Sequence, residues 1–100
     1  MTGNEIKALR TSLRMNVPQF AELVGVHVTT AYRWEGFAAK SVDLDRLQLK
    51  VLTHLQQRLD EQKGKERDSW VDGLLKMLLV GGTLVALAYI LANLTKGKKP

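Results

Sequence analysis

The chain has 100 residues, with 15 Lys and Arg against 10 Asp and Glu, two His and no Cys. That length holds one small domain with an appendage rather than two full domains. The lack of Cys excludes disulfides and thiolate metal sites. The net charge of +5 fits a polyanionic partner, a nucleic acid or an anionic membrane face. The charge is spread thinly: residues 1–60 hold eight basic and six acidic side chains, whereas the last five residues hold three lysines. His27 and His54 stand apart, and the sequence has no Gly-rich phosphate loop, metal-ligand spacing or nucleophile–base pattern. An enzyme is therefore not expected, nor a metal or cofactor. Charged residues interrupt every short apolar run near the N-terminus, so no signal peptide is expected there.

The first helix is predicted over Asn4 to Arg14, where Ile6, Leu9 and Leu13 fall on one core-facing stripe. Lys7 and Arg14 read as solvated charge. Asn16 suits an N-cap and Pro18 the first turn of a second helix, predicted over Val17 to Val24. Phe20, Ala21, Leu23 and Val24 give that helix its apolar side, and Gly25 suits a helix end that needs positive φ. A third helix is predicted over Val28 to Glu35, capped by His27. Ala31 and Trp34 should face inward, and Val28, Thr29, Tyr32 and Arg33 outward. Two short helices joined by a tight turn make a helix-turn-helix.

From Ile6 to about Leu55 the chain resembles the Cro/C1 phage-repressor (XRE-type) family. The residues that carry the likeness are F-A-E-L-V-G-V at Phe20 to Val26 and W-E-G at Trp34 to Gly36. The resemblance implies that the third helix enters the major groove of double-stranded DNA, with Val28, Thr29 and Arg33 facing bases. Arg33 would fork onto guanine, and Thr29 would meet a base edge or a thymine methyl. Thr30, Tyr32 and Gln19 would hold phosphates. The family also implies an ion pair between Arg10 and Glu35. The chain departs from the pattern at Val17, where family members have a phosphate-binding glutamine. It also departs at His27, which replaces a Ser or Thr cap, and in the shorter step from Glu35 to Gly36. The alternative is that this face meets a protein, such as a cytoskeletal or assembly protein.

A fourth helix is predicted over Asp43 to Gln62, capped by Ser41 or Asp43. Leu44, Leu47, Val51, Leu55 and Leu59 form its stripe, widened by Leu49 and Leu52. Its second half reads either as a connector or as a dimer seam of Leu52, Leu55 and Leu59. The domain then covers 1–59, and the charged stretch 60–72 reads as a solvated linker or an exposed helix.

Composition changes at 73–95. From Met77 to Thr95 there are 19 uncharged residues. Leu74 to Leu94 would span about 31 Å as a straight helix, against a hydrocarbon core of about 30 Å. The apolar residues surround the helix, Lys76 can snorkel, and Trp70 and Tyr89 bracket the segment. A single transmembrane helix with a basic tail at 96–100 is expected, in a bacterial inner membrane. The N-terminal domain would lie in the cytoplasm, and the chain would be tail-anchored. Gly81-Gly82 would mark a kink, a hairpin or a packing face. Gly82 with Ala86, and Ala88 with Ala92, give small-residue spacings suited to homo-oligomer contacts. The alternative is a buried helix that joins subunits of a cytoplasmic assembly. The expected architecture is thus all-α: a small helix-turn-helix bundle, a charged connector and one hydrophobic helix. The expected role is a membrane-tethered DNA-binding protein, or else a membrane-anchored or oligomeric scaffold.

Overall fold

The computed structural model describes residues 1–62 and 64–97, with side chains as far as Ile90. The described chain is all-helical, without strands: α1 (Gly3–Ser12), α2 (Val17–Val24), α3 (Val28–Gly36), α4 (Arg46–Glu61) and α5 (Lys65–Gly97). One isolated antiparallel bridge, Thr2 to Ser41, ties the N-terminus to the loop before α4.

Local chemistry sets most of the helix starts. Three of them are reciprocal capping boxes, in which the cap side chain and the third helical residue satisfy each other's backbone N–H. Thr2 Oγ1 accepts from Glu5 N–H at 3.1 Å, and Glu5 Oε1 accepts from Thr2 N–H at 2.8 Å. Asn16 and Gln19 do the same at 2.8 and 3.0 Å, and Asp45 and Gln48 at 2.7 and 3.1 Å. The last pair corrects the expectation for α4. Neither Ser41 nor Asp43 caps it, because Asp45 has Gln48 at the right spacing and starts the helix at Arg46. At the far end of α1, Arg14 adopts φ 57° and the helix stops at Ser12, two residues earlier than the apolar stripe suggests. Gly25, at φ 81° and ψ 33°, closes α2 in the left-handed conformation.

One continuous core runs from Ile6 to Ile90. Phe20, Ile6, Leu13 and Leu23 are its fully buried members from α1, the α1–α2 link and α2. Leu52, Leu55 and Leu59 of α4 lie in the same core, at 0, 0 and 3% exposure. They are therefore not a seam for a second chain. Leu47 and Leu49, expected to share their stripe, are exposed at 70 and 44%.

The covering element is α5. Trp70, Val71, Leu74 and Leu78 pack into the core from its first arm, and Ala86 and Ile90 from its second. A straight 33-residue helix would run about 50 Å, yet the described residues extend only 38 × 27 × 25 Å. The helix breaks at Gly82, with φ 72° and ψ −158°, a region essentially restricted to glycine. Beyond the break the chain doubles back. Trp70 and Tyr89 ring centroids lie 6.4 Å apart. A Cβ added to Gly73 would sit 2.5 Å from the Tyr89 hydroxyl. On a straight helix residues 73 and 89 would be about 24 Å apart. The α5 segment is thus a hairpin of two arms, Lys65 to Gly81 and Thr83 to Gly97.

This arrangement revises three further expectations. Residues 65–72 are the first two turns of α5, the helical alternative for that stretch, but Trp70 is 5% exposed rather than placed at an interface. Arg14 is not merely solvated: Nη2 donates to Asp72 Oδ1 at 3.0 Å and to the Asp68 carbonyl at 3.2 Å, pinning α5 to the end of α1. Gly82 and Ala86 do not share a helical face, because the helix breaks between them and Ala86 is buried in the chain's own core. Ala88 is exposed, while the Ala92 side chain and the tail lie outside the described side chains.

Candidate functional site

The candidate surface is the outer side of α3. Its inner side is fixed by Ala31 (0% exposed) and Trp34 (2%). Ala31 meets Val17 and Ala21 of α2, with Val26 and Val28 packed against them, and Trp34 joins the main core. The α2–α3 link is Gly25, Val26 and His27. His27 is an N-cap, its Nδ1 accepting the Thr29 N–H at 3.2 Å. The Thr29 hydroxyl also lies 2.9 Å from Nδ1. A neutral imidazole with its proton on Nε2 suits both contacts.

The C-terminal end of α3 is braced to α1. Arg10 Nε donates to Glu35 Oε2 at 2.7 Å, Nη2 to Oε1 at 3.0 Å, and Nη1 to the Met15 carbonyl at 3.0 Å. This fork occupies both carboxylate oxygens and also satisfies the chain where α1 gives way to α2. The two side chains are 14 and 12% exposed. The hydrogen bonds to Glu35 hold the Arg10 guanidinium above its ordinary range. A bidentate pair sheltered in this way fixes the orientation of α3 more than it adds net stability.

Of the outward residues named from the sequence, Thr29, Tyr32 and Arg33 are exposed, and Tyr32 is 58% so. Val28 is half-buried and contributes to the packing between α2 and α3. Thr30 is half-buried. Arg33 makes no hydrogen bond or ion pair among the described residues, and its guanidinium stands open to a ligand. At the start of α2 the chemistry is more constrained. Val17 is 8% exposed, and Gln19 spends its carbonyl oxygen on the Asn16 N–H, leaving the side-chain amide N–H groups as its donors.

Two features of the site go beyond the sequence reading, and only the first has a sequence signal. One is the capping role of Gln19, written in N-x-x-Q. The other is the approach of α5. Thr83 Oγ1 donates to the Glu22 carbonyl, and the Thr83 methyl lies 3.8 Å from where a Cβ on Gly25 would be. The bend of the hairpin therefore rests on the end of α2, beside the turn that leads into α3. Among the described residues no group of three His, Cys, Asp or Glu side chains is placed to hold a metal ion. Set against known protein families, curated proteins and solved structures, the chain matches none of them.

Proposed function

We propose that the α1–α4 region is a repressor-like helix-turn-helix unit that binds double-stranded DNA through α3. In this reading the chain is held at the cytoplasmic face of a bacterial membrane by α5. The observation that carries the DNA reading is the exposed row of Thr29, Tyr32 and Arg33 on a helix braced from behind by Ala31, Trp34 and the Arg10–Glu35 fork. A rigid short helix with an unpaired arginine on its outer face suits groove reading, in which Arg33 forks onto guanine and Tyr32 and Thr30 meet phosphates. The membrane reading rests on α5, the one helix among the described residues that is long and apolar enough to cross a bilayer.

The test is binding of the full chain to mixed-sequence duplex DNA across a salt series, beside Arg33→Ala. The full chain is required, since truncation at residue 59 or 69 would uncover Leu52, Leu55 and Leu59. A second reading, a scaffold whose α3 meets an assembly protein, is favoured by the start of α2. Val17 has no hydrogen-bonding side chain to offer a phosphate there, and Gln19 is partly engaged. DNA affinity rests largely on phosphate neutralisation, which this surface supplies sparingly. A folded chain that ignores DNA at low salt would select that reading.

A further inference from the structure

The apolar segment is buried along one side and bare at its bend. Val80 is 87% exposed, Leu84 81% and Leu79 74%, with Met77 and Val85 near 40%. These five residues flank Gly81-Gly82 on both arms, within the 19 residues that carry no charge. An apolar patch of this kind on a small folded chain marks a contact site. Its boundaries are polar. Lys76 is exposed one turn before Leu79 and Val80. On the docked side the Glu22 carboxylate lies 3.9 Å from where a Cβ on Gly82 would be. The five exposed side chains are those that this contact leaves bare.

We propose that the folded chain meets a lipid bilayer with this bend, as an in-plane contact in one leaflet and not as a spanning helix. The inference rests on the membrane reading above and specifies its geometry. Five residues, Met77 to Gly81, separate Lys76 from the break. They rise about 8 Å, far short of a hydrocarbon core of about 30 Å, so this uncharged part of the arm does not span. Lys76 then sits at headgroup level, where its ammonium and the net charge of +5 favour anionic lipid. A straight span would instead pull Trp70, Val71, Leu74, Leu78, Ala86 and Ile90 out of the core, and would leave Leu23, Leu52, Leu55 and Leu59 facing water. Contact through the bend keeps every one of those residues covered.

The two geometries differ in topology. A contact through the bend leaves both ends of the chain on the cytoplasmic side, whereas a single span sends the end of α5 across. The chain has no cysteine, so single-cysteine variants report position cleanly. Lys7→Cys and Gly97→Cys, in the full chain expressed in bacteria, would be labelled with a membrane-impermeant maleimide in spheroplasts and in inverted vesicles. The expected result is a membrane-bound chain labelled at both positions in inverted vesicles and at neither in spheroplasts. Labelling of Gly97→Cys from outside spheroplasts would overturn the in-plane geometry while leaving the membrane reading intact. A chain that stays in the soluble fraction, and fails to float with purified phosphatidylethanolamine–phosphatidylglycerol vesicles, would overturn both. Val80→Glu changes an exposed position, so the fold is retained, as an unchanged urea midpoint would verify. It should reduce flotation about tenfold or more, since a carboxylate in the acyl region is expensive. Undiminished flotation of a folded Val80→Glu chain would overturn the bend as the contact.

Discussion

The α1–α3 region and α5 solve the same problem by different means. In α1, α2 and α3 each helix is short and amphipathic, begins at a polar cap and turns one stripe inward. Polar chemistry fixes their positions: two capping boxes, a histidine cap and a bidentate ion pair. The first arm of α5 has few such devices, with Arg14 bridging to Asp72 as its tie to α1. Its apolar residues surround the helix, and its orientation comes from which of them fit the core. Leu74 is fully buried and Leu79 is 74% exposed, though both are leucines on the same arm of one helix. The N-terminal region is thus specified residue by residue. The hairpin is specified by the core it covers and by one glycine.

The largest effects are expected from truncating a leucine in each region. Leu23→Ala in α2 and Leu74→Ala in α5 both empty a fully buried site, so each should lower stability by about 2–5 kcal/mol in urea unfolding. If α5 were only an appendage, Leu74→Ala would leave the midpoint unchanged. Arg10→Ala should follow, at about 3 kcal/mol, because it strands the sheltered Glu35 carboxylate and frees the Met15 carbonyl. Replacing both partners, as Arg10→Met with Glu35→Leu, should cost less than Arg10→Ala alone, and the double-mutant cycle measures the coupling.

Gly82→Ala tests the hairpin itself. Alanine at φ 72° and ψ −158° should cost about 1–3 kcal/mol. In membrane fractions the same change should shift Gly97→Cys labelling toward the outside, because it favours a straight helix. The caps come next. Asp45→Ala should destabilise by about 1 kcal/mol, read from the urea midpoint. The α1 cap adds a pH dependence. Hydrogen bonds from Thr2 hold the Glu5 carboxyl below its ordinary range. Its contribution is therefore present above the ordinary carboxylate pKa and is lost as pH falls through the lowered one. Glu5→Gln should weaken stability slightly at neutral pH and converge with the parent chain in acid. The smallest effects belong to Leu79→Ala and Arg33→Ala, both on exposed positions, which should stay within about 0.5 kcal/mol.

Much of the N-terminal region was legible in the sequence. Helical spacing placed Ile6, Leu9, Phe20, Leu23, Ala31 and Trp34 inward, and Asn16 and His27 as caps, as the structure has them. The outward positions Thr29, Tyr32 and Arg33 followed from the same periodicity. The start of α4 was misplaced because Ser41, Asp43 and Asp45 are all competent caps, and only Asp45 has a glutamine three residues later. The fate of α5 was less accessible. An all-round apolar helix carries no stripe, so periodicity cannot say which side it buries or whether it buries any. Gly81-Gly82 signalled a weak point, but the choice among kink, hairpin and packing face depended on Trp70, Leu74, Ala86 and Ile90 finding a core to fill. The charges of 60–72 suggested a linker or an exposed helix; the second holds for 65–72, while Trp70 and Val71 are a minority there and are buried because they join the common core.

DNA binding through α3 is tested most directly by equilibrium binding of the full chain to mixed-sequence duplex DNA from low to physiological salt, with Arg33→Ala measured in parallel. Binding should weaken steeply as salt rises. Arg33→Ala should lose a further factor of about ten or more, with its urea midpoint unchanged. A folded chain that shows no binding at low salt, or binds equally well without the Arg33 guanidinium, would contradict binding through α3.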